Sequence, residues 1–280
     1  MQVIESVNEM QSLAVKLRHQ GKLIGFVPTS GYLHAGHLSL IQLAQDQADV
    51  VVVSCFVNPK EFGANEDFGR YPRDRERDLQ FCREAKVDVL FLPKEEEIYP
   101  AGFSSTVNEE KRGSGLCAIS RPHYFKGVCT LHAKLFNIVR PDQVIYGRKD
   151  PQQATVVAKM VEDLNFPVEI AVGPTVREPD GLACSARNTY LNEFQRRDAR
   201  TLYQALMKGK ELVDNGIRNV DRILAEVTFH ISQIRRLRVI YVHAVNKHTM
   251  EFERQIVPGQ TLVVTSVWCD EVRLLDNMEL

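Results

Sequence analysis

The chain has 280 residues, 44% of them hydrophobic, enough to bury a sizeable core as one large domain or two of ordinary size without disulfide or metal staples. Its 35 Lys and Arg against 36 Asp and Glu leave a net charge of −1, so no global field draws in nucleic acid or an anionic membrane, and any polyanion site must be local. The cysteines, Cys55, Cys82, Cys117, Cys129, Cys184 and Cys269, show no CxxC pair and no zinc-ligand spacing; together with the absence of any run near the ~20 apolar residues of a membrane span or of an apolar signal segment, they lead us to expect a cytoplasmic protein with reduced, buried thiols and no metal ligands of its own.

Residues 2–20 place Val7, Met10, Leu13, Ala14 and Leu17 at the spacing of an amphipathic helix. KLIGFVPTSG (22–31) is a short apolar run ending in Pro28, Ser30 and Gly31, and HLSLIQLAQDQA (37–48) then takes up helical periodicity, so a strand, a glycine turn and a helix are expected. ADVVVVSCFV (48–57) has a run of valines without polar alternation, which suits a strand covered on both faces. DRERDLQFCREA (74–85) reads as a helix, VDVLFLP (87–93) as a strand, VCTLHAKLFNIV (128–139) as a helix, QVIYG (143–147) as a strand, QQATVVAKMVEDLN (152–165) as a helix and FPVEIAVGPT (166–175) as a strand. Such alternation predicts an α/β fold with a parallel, doubly wound, Rossmann-like sheet whose ligands bind beyond the carboxyl ends of the strands. The turns at Gly31 and Gly147 both lie at such ends.

The character changes near residue 176. VREPDGLACSARNTYLN (176–192) is rich in turn residues, residues 194–216 read as one helical stretch, and a shorter helix is expected near 219–234. Three strand-like runs, RVIYVHAV (238–245), QTLVVTSVWC (260–269) and EVRLLDN (271–277), predict a small antiparallel sheet. The expected organisation is a nucleotide-binding domain over 1–175 and a smaller α+β domain over 176–280.

The sharpest local signal is VPTSGYLHAGHLSL (27–40), where His34 and His37 stand three apart at the start of a helix, directly after a strand and a glycine turn. That spacing puts both imidazoles on one face beside backbone N–H groups and the positive end of the helix, where a triphosphate would sit. Imidazole donors there would stabilise charge that builds as a nucleophile attacks the α-phosphorus and pyrophosphate leaves. Two histidines alone would equally serve to cap the helix. The strand, the Gly31 turn, Gly36 between the histidines and the apolar helix behind them together match the HxGH signature of a nucleotidyl-transferase superfamily.

Five blocks in order, VPTSGYLHAGHLSL, SCFVNPKEFGANEDFGRYPRD, SRPHYFKGV, KLFNIVRPDQVIYGRKDPQQ and PTVREPDGLACSARNTYL, with VWCDEVRLLDN at the end, resemble the pantothenate synthetase (pantoate–β-alanine ligase) family along the whole chain. The resemblance implies an AMP-forming ligase that joins pantoate to β-alanine through a pantoyl adenylate, with ATP as co-substrate and magnesium on its phosphates. It further implies a homodimer, and a site between the Rossmann-like domain and a C-terminal lid. Carried over by position, His34 and His37 are the ATP-binding histidines and His37 the proton donor, within a phosphate loop that runs from Ser30 through Gly31 and Gly36. Gly147, Arg148, Lys149 and Asp150 match the family's nucleotide-binding GEKD segment, with Lys149 on phosphate and the reacting carboxylate. Val176 lines the adenine pocket, Cys184, Ser185, Ala186 and Arg187 match the mobile phosphate loop, and Asn58, Glu61 and Gln153 match positions that hold pantoate. Asp78 is a candidate outer partner of magnesium, set against the plainer expectation of a solvated helix carboxylate.

Several of these positions depart from the family's usual residues: Ser30 stands where Met is usual, Ala35 where a polar residue is common, Glu61 for a Gln that contacts pantoate, Arg148 for Glu, Pro151 for an aromatic and Ala186 for a Ser. Ionised Glu only accepts hydrogen bonds, whereas Gln both donates and accepts. The departures keep two alternatives in view, a related adenylate-forming ligase with another acid or amine, and a nucleotide-binding homologue without turnover.

Overall fold

A computed structural model describes residues 1–280. In chain order its elements are β1 (Gln2–Ile4), α1 (Val7–His19), β2 (Ile24–Thr29), α2 (Ala35–Gln45), β3 (Val50–Cys55), α3 (Arg75–Glu84), β4 (Val89–Phe91), α4 (Glu95–Ile98), α5 (Cys117–Ser120) and α6 (Tyr124–Val139). There follow β5 (Gln143–Gly147), α7 (Pro151–Asp163), β6 (Glu169–Gly173), α8 (Glu193–Ala199), α9 (Thr201–Asp214), α10 (Val220–Ser232), β7 (Leu237–Asn246), β8 (Thr261–Cys269) and β9 (Val272–Glu279), with short 3-10 turns at Pro59–Glu61, Phe68–Arg70 and Ala186–Tyr190. They group into two compact units, one of Met1–Arg148 with Val156–Pro174, the other of Lys149–Thr155 with Thr175–Leu280.

The first unit is built on a six-stranded sheet in the order β1-β4-β3-β2-β5-β6, with every neighbouring pair parallel. The valine run of β3 is buried from Val51 to Ser54, as a strand covered on both faces requires. A repeated device pins the amino ends of the strands. Asp49, ahead of β3, accepts the Leu23 N–H (2.9 Å); Asp88, ahead of β4, accepts the Val51 N–H (2.8 Å); Asp142, ahead of β5, accepts the Ile24 N–H (2.8 Å). Each carboxylate thus satisfies an edge amide that the parallel ladder leaves open.

Two expectations are corrected. Residues 2–4 are a strand, not the beginning of the first helix: Gln2, Val3 and Ile4 pair in register with Val89, Leu90 and Phe91. A three-residue strand has no periodicity of its own to read, and the free edge of β4 decides its conformation. The stretch 194–216 is two helices broken at Arg200, because α8 is anchored separately: Asn192 and Gln195 form a capping box at its start, and Gln195 Nε2 donates to Asp270 Oδ2 (3.0 Å) at the β8–β9 turn.

The second unit carries the antiparallel sheet β7-β8-β9. Leu202 and Leu206 of α9 and Ile223 and Val227 of α10 share a core with Val263 and Val267 of β8. At its edge the Arg177 guanidinium grips Asp276 with both nitrogens (2.7 and 2.9 Å) and lies on the Tyr203 ring, a forked geometry that Lys would not reproduce. All six cysteines are free thiols, and all but Cys55 are buried; burial pushes the Cys82 and Cys129 thiols up to about 12.

Helix α6, apolar nearly all round, is buried along most of its length. Gly127 in its first turns lets it lie directly on the Pro59–Glu61 turn. A Cβ at Gly127 would fall 2.6 Å from the Lys60 carbonyl carbon and 3.0 Å from the Glu61 nitrogen, and backbone cannot yield as a side chain tip can. Gly127→Ala is therefore expected to destabilise the protein by about 1–3 kcal/mol, as overpacking does, and chemical denaturation measures it; an unchanged midpoint would show that α6 can withdraw from the turn at no cost.

Candidate active site

The sheet order places the switch point between β2 and β5, since the chain leaves β2 toward β3 in one direction and returns to β5 on the other side. The loop after β2 is organised by Asp78 of α3. This carboxylate is only 4% exposed and accepts the backbone N–H groups of Tyr32 (2.8 Å) and Leu33 (2.7 Å). The solvated helix carboxylate expected from sequence is corrected, since tertiary packing buries Asp78. Burial raises its pKa above the ordinary value, against the pull of the two amides. Gly31 is required beside it, both for its φ of +77° and because a Cβ there would come within 2.9 Å of Asp78 Oδ2. Arg77 lies over the Tyr32 ring at 4.2 Å.

The loop delivers the chain into α2 through a reciprocal capping box made by the two histidines. His34, the N-cap residue, accepts the Gly36 N–H at Nδ1 (3.1 Å), and His37 Nδ1 accepts the His34 N–H (3.2 Å). Because both Nδ1 atoms are acceptors, both neutral rings carry their proton on Nε2. The rings lie 4.0 Å apart at a 36° tilt, at the positive end of an eleven-residue helix. The capping role weighed from sequence is thus met at Nδ1 of both rings, and each Nε2 lies on the opposite side of its ring. Ser30 is half-buried ahead of the histidines and Ala35 is exposed.

A second cluster forms where the 3-10 turn after β3 meets α6. Asn58 is buried and fully engaged: Nδ2 donates to Glu61 Oε1 (2.9 Å) and to the Gly127 carbonyl (3.1 Å), while Oδ1 accepts the Lys60 N–H (3.1 Å) and the Tyr99 hydroxyl (2.8 Å). Arg121 donates to the Glu61 carbonyl (2.8 Å) and holds Glu66 with both ends of its fork. Burial and the nearby Glu61 charge push the Tyr99 phenol up.

At the end of β5, Gly147 faces Leu40 of α2, and the Arg148 N–H donates to the Gly173 carbonyl (2.8 Å), extending the pairing with β6. The second unit holds the other expected positions. The Lys149 carbonyl accepts Asn277 Nδ2 (3.1 Å), and its ammonium lies 3.4 Å from Asp150 Oδ2. Pro151 is the first residue of α7, where its missing N–H removes no helical bond, and Gln153 follows half-buried in the same turn. Val176 and Cys184 are joined by the Cys184 N–H to the Val176 carbonyl (3.0 Å). Ser185 caps the 3-10 turn that follows by accepting the Arg187 N–H (3.3 Å), and Ala186, in place of a serine, is buried in that turn.

Sequence reading missed Tyr99, and it singled out Asp78 without its tie to the loop amides. Asp78 left a trace, since it lies four residues from Cys82 and so shares the buried face of α3. Tyr99 left none, because it reaches Asn58 across 41 residues.

The family model described as pantoate-beta-alanine ligase matches residues 2–279. A pantothenate synthetase of a Sulfurihydrogenibium species is 49% identical over 280 residues, covering 100% of both chains, and one of Thermotoga petrophila is 47% identical over 277 residues, covering 99% of each. The crystal structure of pantothenate synthetase from Thermus thermophilus superposes with a TM-score of 0.93 at 40% identity, covering 100% of this chain and 99% of that one. The pantoate-beta-alanine ligase of Francisella tularensis, solved with beta-gamma ATP and beta-alanine, superposes at 0.82 with 30% identity, covering 100% and 97%. These matches do not favour the alternatives raised by the departures, and the chain belongs to the pantoate-beta-alanine ligase family.

Proposed function

We propose that the protein condenses pantoate with β-alanine at the expense of ATP. A pantoate carboxylate oxygen attacks the α-phosphorus, the bond to the bridging oxygen breaks and its electron pair leaves with pyrophosphate. The amine of β-alanine then attacks the acyl carbon of the pantoyl adenylate, sheds a proton, and AMP departs. The observation that carries this reading is the histidine capping box at the start of α2, which leaves the proton of each neutral ring on Nε2 at the helix N-terminus, where phosphate oxygens are favoured.

In this reading the loop through Ser30, Gly31 and Gly36 cradles the triphosphate with His34 and His37. Lys149 and Arg187 offset repulsion between the two anions, and Asn58, Glu61 and Gln153 form the pantoate site, Asn58 by holding Glu61 in place. Gly147, Arg148, Asp150, Val176, Cys184, Ser185 and Ala186 serve the nucleotide. No three His, Cys, Asp or Glu side chains converge as a metal cage; magnesium enters on the triphosphate with most of its waters in this reading. Bound there, the ion neutralises phosphate charge. No helix is long and apolar enough to cross a membrane, and the assembly we propose is a cytoplasmic homodimer of two-domain chains (1–175 and 176–280), with twice the 31.9 kDa chain mass in light scattering.

The test incubates the purified protein with ATP, magnesium and D-pantoate, with and without β-alanine, and follows pyrophosphate, AMP and pantothenate by mass spectrometry. Pantothenate and AMP should appear only with both acids present. Pyrophosphate released solely with another acid would overturn the pantoate assignment, and ATP binding without any release would overturn the reaction.

A further inference from the structure

Tyr146, the residue before Gly147 at the carboxyl end of β5, is 6% exposed, and its hydroxyl is buried with no hydrogen-bond partner. Buried hydroxyls are nearly always paired, so an orphan at a strand end beside the switch point calls for a partner supplied from outside the protein. Helix α6 joins this position to the Asn58 cluster. Gly127 accepts Asn58 Nδ2 at its carbonyl, and His132, further along the same helix, lies against the Tyr146 ring with centroids 5.6 Å apart.

The Asn58 cluster supplies the second half of the argument. Both Nδ2 protons of Asn58 are committed to Glu61 and Gly127, its oxygen already takes two donors, and the Tyr99 hydroxyl is one of them. Glu61, when ionised, offers acceptors alone. A substrate hydroxyl both donates and accepts, so Glu61 matches only its proton. Resting on the reading of Asn58 and Glu61 as acid-binding residues, we propose that Tyr146 is a specificity-determining residue: its hydroxyl donates to an alcohol oxygen of the acid substrate while Glu61 accepts that alcohol's proton. The pair restores, from two residues, the donor and acceptor that a single Gln at 61 would offer. Burial pushes the Tyr146 phenol far above its ordinary value, with the Glu61 charge adding to the push, so the donor keeps its proton throughout the working pH range.

The experiment is Tyr146→Phe, which removes the hydroxyl and keeps the ring. The KM for D-pantoate should rise roughly tenfold, the loss expected for one buried hydrogen bond, while the KM values for ATP and β-alanine stay unchanged. Against the two analogues that each lack one alcohol of pantoate, the substitution should lose its effect with one and keep it with the other. Melting of the unliganded variant should be no lower than wild type, since the phenol oxygen has no partner to lose. Adding Glu61→Gln to Tyr146→Phe should bring the pantoate KM back to within about threefold of wild type, because the amide supplies the missing donor. An unchanged pantoate KM in Tyr146→Phe, an equal loss with pantoate and both analogues, or no rescue in the double variant would overturn the proposal. A wild type that makes no pantothenate fails at an earlier step and sinks the proposed function together with this inference.

Discussion

Replacing His37 by alanine is expected to slow pyrophosphate release from ATP and pantoate by about 10²- to 10³-fold, the loss typical of one preorganised donor aimed at developing charge. That loss has two sources, because beside the donor task proposed for Nε2 His37 has a structural one at Nδ1. Nδ1 accepts the His34 N–H and closes the capping box, and truncation would also release that amide, weakening the start of α2 by about 0.5–2 kcal/mol. His37→Gln separates the tasks, since Gln is a standard partner at that position of a capping box. It should recover the melting temperature while leaving the rate low. Rapid-quench measurement of pyrophosphate without β-alanine reads the first chemical step alone. A Gln variant that regains both stability and rate would assign the histidine to capping only.

Asp78→Asn should reduce kcat/KM for ATP by roughly tenfold to a hundredfold, the equivalent of losing one charge-assisted hydrogen bond of about 1.5–3 kcal/mol. The two carboxylate oxygens divide their work, Oδ2 for Tyr32 and Oδ1 for Leu33. An amide can serve only one of those N–H groups and sets its own NH2 against the other. The loop after β2 then loses one of the two ties that Asp78 makes to it.

The pH dependence of wild type offers an independent check. The folded-state pKa of Asp78 lies above the ordinary 3.8 because burial disfavours the charged form. Its contribution to stability is therefore complete at low pH and is lost as pH rises through the raised pKa. ATP affinity moves the opposite way, since the protonated acid turns an O–H toward a loop amide. Acidification through this window should weaken ATP binding without a matching loss from this group in resistance to unfolding, and the acid limb should be missing in Asp78→Asn. Calorimetric titration of ATP across pH decides it; coincident acid limbs in wild type and variant would remove Asp78 from the account.

Much of this was legible in the amino-acid order. The strand, glycine turn and helix around His34 and His37 are local features, with apolar periodicity, a φ-positive glycine and a cap within a dozen residues, and they form where predicted. So do β3, β5 and the three late strands, because valine runs and period-two patterns are strong local preferences. The placement of the histidines was also readable, since their spacing puts both rings at the helix end.

What the order of residues could not express was which distant groups complete each cluster. Asp78 meets the loop amides of Tyr32 and Leu33 across some forty-five positions, and β1 exists only because β4 presents a free edge. Tyr99 and Gly127 close around Asn58 from two further segments. The orphaned hydroxyl of Tyr146 is a property of its surroundings and has no counterpart in the letters around it. Composition and periodicity determined the class of fold and the strand, glycine turn and helix that carry His34 and His37, because those depend on neighbours along the chain. The tertiary structure alone decided which carboxylate stays buried and which hydroxyl lacks a partner, because burial and hydrogen-bond satisfaction at those groups depend on segments that meet only when the sheet is assembled.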